Sequence, residues 1–243
     1  MIHNHKRMVR IVESKNKNVL IAISYVVALL IVTSYAANAF AAVTAGTITY
    51  LSGPLFARKA DGSIKTLSKN SVVEQGDTLI TEKRTYARIK FNDNSEVTLR
   101  PESQFKIEAF SYNQAKPGED KALFELVKGG LRALTGHVGK RGDPDSYKMK
   151  TPAAVIGIRG TIFEVKVCDG NCGELADGVY FFILEDNITV SNASGSLTVG
   201  VGQYAYAKNI NSVPVLLPKN PGIDFTLPEN VQVIGSNWGC MVR

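Results

Sequence analysis

From about residue 42 onward, glycine and Asn/Asp clusters interrupt the sequence at short intervals: Asp61-Gly62-Ser63, Gln75-Gly76-Asp77, Asn92 to Ser95, Gly129-Gly130, Gly136 to Ser146, Asp169 to Gly173, Glu185-Asp186-Asn187 and Ser194-Gly195-Ser196. The runs between them are short and rich in β-branched and aromatic side chains. Helices need longer uninterrupted stretches and strands do not, so the spacing predicts an all-β fold, whether sandwich, barrel or solenoid. The segment LFELVKGGLRAL (123–134) carries Gly129-Gly130 in its middle and reads as two strands around a turn. Gly46-Thr47-Ile48-Thr49-Tyr50 and its following turns find a partial echo in Asn187-Ile188-Thr189-Val190, Ser194-Gly195-Ser196 and Gly202-Gln203, which favours a winding architecture. Beyond residue 210 the texture changes. Pro214, Pro218, Pro221 and Pro228 predict an extended tail over 211–243 that drapes over the domain or reaches outward.

Within this frame TPAAVIGIRGTIFEVKV (151–167) is interrupted by Gly157 and Gly160 and then alternates strictly. Phe163, Val165 and Val167 fall on one face, Glu164 and Lys166 on the other. Upstream stand the turn Gly76-Asp77-Thr78 and the hairpin of 87–107, tipped by Asp93-Asn94-Ser95. These elements, followed by a Gly-rich turn and by Thr151-Pro152…Arg159-Gly160-Thr161, resemble in their order the FecR domain family. Such domains show a Gly-Asp-Thr turn, an Asp-Gly-Ser hairpin tip, a Gly-rich turn and a Thr-Pro…Arg-Gly-Thr strand. Asn94 stands here where the tip glycine is expected, and asparagine is the next most tolerant residue for a left-handed backbone. The resemblance runs over residues 46–167 and continues more weakly to about 207. It implies a bacterial, extracytoplasmic β module, a twisted antiparallel β-solenoid or roll, best known as the sensory half of membrane-spanning anti-sigma regulators. The expected domains are a FecR-type β domain at 43–167, its β continuation at 168–210 and the Pro-rich tail at 211–243.

The N-terminus carries Lys6, Arg7, Arg10, Lys15 and Lys17, then an uncharged apolar run from Val19 to Val32, then small residues. This reads as a signal peptide over 1–39, with Ala37 and Ala39 as the small pair ahead of a cut before Phe40. The run spans about 21 Å as a helix, or about 28 Å when counted through Ala37, so an uncleaved inner-membrane anchor stays open as the alternative. Both readings send residues from about 42 outside the cytoplasm, to a periplasmic or secreted location of the Gram-negative type. About eighteen residues precede the run, too few for a helical cytoplasmic domain that captures a sigma factor. Without residues 1–39 the net charge falls from +6 to +2, which excludes the electrostatic footprint of a nucleic-acid binder.

Chemistry-bearing constellations are sparse. Cys168 and Cys172 flank Asp169-Gly170-Asn171 and read as a small structural disulfide in an oxidising compartment. A metal pair lacks further ligands, and a redox pair normally has two intervening residues. Cys240 is left over, either inert beside Trp238 or intermolecular. His137 is the only histidine after the N-terminal segment, and no Gly-x-Ser-x-Gly elbow, phosphate loop or dinucleotide fingerprint occurs. No enzyme activity, cofactor or metal is expected. Arg141-Gly142-Asp143 reads as a turn into Pro144, and the sequons at Asn187 and Asn192 fall on a strand and a turn.

Arg159 leaves two readings. Buried, it would pair with a carboxylate, the reading that arginine in an apolar strand favours; exposed at a bend, it would form a ligand site with Thr161. The expected role is a protein-binding or signal-relay module at the cell envelope with a protein partner. The second reading is a structural or polysaccharide-contacting envelope protein, for which Tyr180, Phe181, Phe182, Tyr204 and Tyr206 are the candidates for an exposed aromatic row, although 180–182 are consecutive and cannot all point outward.

Overall fold

The computed structural model describes residues 43–231 except Gly142, Pro144 and Asn171. The signal or anchor reading, with Ala37 and Ala39, and the odd Cys240 lie outside these residues.

In chain order the strands are β1 (Thr44–Leu51), β2 (Leu55–Arg58), β3 (Ile64–Leu67), β4 (Val72–Glu74), β5 (Thr78–Thr81), β6 (Ala87–Phe91), β7 (Glu96–Leu99), β8 (Gln104–Ser111) and β9 (Lys121–Lys128). There follow β10 (Gly130–Leu134), β11 (Tyr147–Lys150), β12 (Val155–Ile158), β13 (Ile162–Cys168), β14 (Gly178–Glu185), β15 (Ile188–Asn192), β16 (Gly195–Val199), β17 (Tyr204–Ala207) and β18 (Val215–Leu217). One four-residue helix, α1 (His137–Lys140), lies between β10 and β11. No helix among the described residues is long and apolar enough to cross a membrane.

The strands form two nine-stranded sheets. The first runs β18-β17-β14-β13-β10-β7-β6-β1-β4 and the second β16-β15-β12-β11-β9-β8-β5-β2-β3. Every pairing is antiparallel except β9 with β11. Neither sheet closes into a barrel. The first arm of the predicted hairpin and the alternating stretch before Cys168 become β6 and β13, whose inward residues Ile89, Phe91, Phe163 and Val165 are fully or almost fully buried. From the second sheet come Leu79, Phe105, Ile107, Phe124, Met149 and Ile156, and all belong to one apolar cluster. Phe124 stands at its centre, with ring centroids 4.9 Å from Phe91, 5.3 Å from Phe105 and 5.5 Å from Tyr147. Burying each such ring contributes about 1.5–3 kcal/mol.

The chain passes repeatedly from sheet to sheet, and the glycines mark where. At Gly129 it leaves β9 in the second sheet and enters β10 in the first. Gly129 has φ +84°, and a Cβ there would lie 2.5 Å from the Ser103 Cα. Only glycine fits. The crossings are unequal, with β1, β4, β5 and β10 visiting a sheet singly and the other strands doing so as hairpins, so the chain winds without a regular coil. The sequence echo is not a structural repeat either: Thr44–Leu51 belongs to the first sheet and Ile188–Asn192 to the second.

After β18 the Pro-rich segment forms no strand and ends, among the described residues, in a short 3-10 turn at Glu229–Val231. It is nevertheless patterned: Ile223, Phe225, Leu227 and Val231 are buried, while Asp224, Thr226 and Pro228 are exposed. This segment lies across the outer face of the first sheet.

Candidate functional site

The turns that carry the family resemblance are held by buried polar groups. Asp77 accepts hydrogen bonds from the Glu74 backbone N–H at 3.0 Å and from Lys59 Nζ at 3.0 Å. Burial disfavours the Lys59 ammonium, but its hydrogen bonds to Glu74 and Asp77 outweigh this and raise its pKa above the ordinary lysine value. Gly76 precedes Asp77 with φ +90°, and Thr78 opens β5.

The hairpin tip and the glycine-rich loop, separate in sequence, form one unit. Asp93 is fully buried and accepts from the Ser95 N–H and hydroxyl and, at 3.1 Å, from the Val138 N–H. Its own carbonyl accepts from the His137 N–H, and His137 Nδ1 lies 2.8 Å from the same oxygen. Asn94 takes φ +66°, as its place at the tip predicts. A Cβ on Gly136 would fall 2.3 Å from both the Asp93 carbonyl oxygen and the Ser95 nitrogen, so the loop needs its glycine to lie against the tip. His137, the one histidine of the described residues, is thus engaged in backbone recognition.

The Thr-Pro and Gly-Thr positions are also turn fasteners. The Thr151 hydroxyl bridges to Ala154, donating to its carbonyl at 2.7 Å and accepting from its N–H at 3.1 Å, with Pro152 exposed between them. Thr161 is buried, donates to the Asn187 carbonyl at 3.1 Å, and offers its own carbonyl to the Thr135 N–H. Gly160 has φ +72°, while a Cβ there would meet only ordinary contacts, so the constraint is on the backbone angle and not on space. Gly157 lies within β12 at a negative φ and with room for a Cβ.

Arg159 corrects the reading favoured from sequence. β12 ends at Ile158 and β13 begins at Ile162, so Arg159 stands in the turn between them and not in a strand. It is exposed, and it has neither an ion pair nor a side-chain hydrogen bond among the described residues. It lines two adjoining clefts. One, of about 320 Å³, also has Lys140, Arg141, Asp143, Glu185 and Asp186 on its walls. The other, of about 340 Å³, has Asp145, Lys148, Asn187, Thr189 and Ser191. Arg141 is tied to Asp120 at 3.0 Å, but Lys140 and Arg159 keep their charges unpaired among the described residues. Shallow walls of mixed charge suit a protein surface better than an enclosed small molecule.

Sequence reasoning missed the outer face of the first sheet. Strand register aligns Tyr50, Arg88, Thr98, Arg132, Glu164, Phe182, Tyr204 and Leu217 in one row across eight strands. Glu164 lies outward as the alternation predicts, yet it is fully buried. It accepts from Arg100 Nη2 at 2.7 Å and from Arg132 Nε at 2.5 Å. Burial pushes its carboxyl above the ordinary glutamate value, and the two guanidiniums draw it back. The tail provides the cover. Phe225 packs on Phe182 and Tyr204, with centroids 5.7 and 6.2 Å away. Main-chain carbonyls of the tail accept from arginines: Phe225 from Arg100 and Arg132, Thr226 from Arg100, and Val231 from Arg88. Of the five rings considered for a sugar platform, Phe181 is in the core, and Phe182 and Tyr204 face the tail.

Cys168 and Cys172 are joined in a disulfide and pack with Tyr180, Ile223 and Phe225. Among the described residues no group of three His, Cys, Asp or Glu side chains is placed to hold a metal ion.

No curated protein matches the sequence. Two crystal structures, each of a candidate anti-sigma factor from Parabacteroides distasonis, superpose at a TM-score of 0.46 and 12% identity, covering 58% of this chain and 59% of theirs. The chain thus spans somewhat more than half the length of those proteins. The family model described as FecR protein matches residues 77–177. The match begins at Asp77, so the turns from Thr47 to Gly76 fall outside it. It ends ten residues past Val167, beyond the disulfide. Residues 77–177 of this chain, about two fifths of its length, thus match the FecR family.

Proposed function

We propose that the chain is a non-enzymatic FecR-type module outside the cytoplasm that relays a signal at the cell envelope by binding a protein partner through Arg159 and the clefts beside it. One observation carries this reading: an exposed guanidinium, without a partner among the described residues, at the apex of the Thr-Pro…Arg-Gly-Thr segment, on a turn fixed by the Gly160 backbone and the Thr161 hydroxyl. The side chains of Asp77, Asp93, Ser95, Thr151 and Thr161 each hold a turn, whereas that of Arg159 makes no hydrogen bond or ion pair among the described residues. The basic flank and apolar run of residues 1–39 support export, with cleavage before Phe40 or an uncleaved inner-membrane anchor. A disulfide between Cys168 and Cys172 fits an oxidising compartment.

Crosslinking and pull-down from intact cells tests the assignment. Arg159→Glu is expected to reduce partner capture about tenfold or more while the purified domain melts as the wild type does, because reversing an interfacial charge affects binding and leaves the turn intact. Undiminished capture by Arg159→Glu overturns the assignment.

A further inference from the structure

We propose that the outer face of the first sheet is a recognition groove for an extended peptide, occupied at rest by the chain's own residues 221–231 and open to a partner segment with the same alternation of apolar and polar residues. The tail is bound as a peptide ligand is. It forms no strand in either sheet, and it is read by side chains: Arg100, Arg132 and Arg88 take the carbonyls of Phe225, Thr226 and Val231. Asn230 Nδ2 reaches the Tyr50 hydroxyl at 3.0 Å. These carbonyls belong to any peptide, so the arginines fix direction and register without selecting sequence. Selection falls to the alternate apolar positions Ile223, Phe225 and Leu227, with Phe225 against Phe182 and Tyr204.

The chemistry of the floor favours exchange over simple opening. Lifting the tail would remove both carbonyl partners of Arg100 and wet an ion triad whose Glu164 is fully buried. Leaving such charges half satisfied is unfavourable, so the groove calls for an occupant. A rival segment satisfies the same groups that the tail does. Only the exposed turn at Lys219 to Gly222 joins the tail to β18, so replacing it disturbs no strand. This groove is distinct from the Arg159 clefts and does not depend on their assignment.

The test keeps the whole chain and places a protease recognition sequence between Pro218 and Lys219. After cleavage, a fluorescein-labelled peptide of residues 219–231 should exchange with the severed tail and saturate at one peptide per chain, while uncut protein binds it at least about tenfold more weakly. The peptide carrying Phe225→Ala should lose about tenfold in affinity, and the one carrying the exposed change Glu229→Ala should bind like the parent. Arg159→Ala in the protein should leave this binding unchanged. The proposal is overturned if the severed tail stays in place until the domain melts and no labelled peptide enters, which would make it a fixed part of the fold. It is overturned equally if differently tagged uncut chains exchange tails and co-purify, since the occupant would then be a second copy.

Discussion

The outer faces of the two sheets are built from the same sequence pattern and meet opposite fates. On the second sheet the outward side chains stay partly wet: Lys150 lies 2.7 Å from Glu108 and Lys106 lies 3.7 Å from the same carboxylate, both lysines keep over two fifths of their side-chain exposure, and Glu108 itself keeps 18%. On the first sheet the outward Glu164 is as dry as a core phenylalanine. Both glutamates meet two cations. What differs is a segment about sixty residues further along the chain that crosses one face and not the other. Alternation therefore tells which side of a strand points away from the core, and it is silent on whether that side meets water.

Substitutions that treat the two faces alike would break this contrast. Glu164→Gln leaves two guanidiniums without a countercharge under the tail and is expected to cost about 3–5 kcal/mol in thermal unfolding. The matched change Glu108→Gln on the wet face should cost no more than about 1 kcal/mol. Equal losses at the two positions would mean that the cover does not exclude water. Phe225→Ala sharpens the point from the tail's side: losing the ring that seals Phe182 and Tyr204 should destabilise by about 2–4 kcal/mol, measured by denaturant titration. A smaller loss than that of Phe225→Ala is expected from Cys168→Ser. Closing so short a loop stabilises by about 2 kcal/mol on the chain-entropy account, and calorimetry of oxidised and reduced protein would show a larger difference if the disulfide also anchors Ile223.

What the sequence discloses is what neighbours in sequence decide. Gly129-Gly130 divides β9 from β10 because its φ and the approach of Ser103 leave no space for a side chain, and the doublet is visible in the chain. The tip at Asn94 is legible for the same reason. Arg159 is misread because an apolar context suggests a strand interior, whereas the strand stops one residue earlier and the guanidinium stands in a turn. The dry face of the first sheet is illegible for a different reason. Arg100 and Thr226 are 126 positions apart, and Arg88 and Val231 are 143 apart. No local pattern announces that such residues meet, although the alternation of Ile223, Phe225 and Leu227 within a Pro-rich stretch was the available hint.

The order in which a chain is made gives the tail one more consequence. Every described strand of the first sheet precedes residue 218, so in a chain delivered across a membrane N-terminus first, as the proposed export would deliver it, the sheet arrives before its cover. During that interval the seat exists and stands empty. A segment arriving then meets no competitor, whereas one arriving after Val231 has docked competes with a tail tethered through a short turn, at an effective concentration on the order of millimolar. If the proposed exchange occurs, timing alone would separate two populations of the same molecule, those filled from within and those filled from outside.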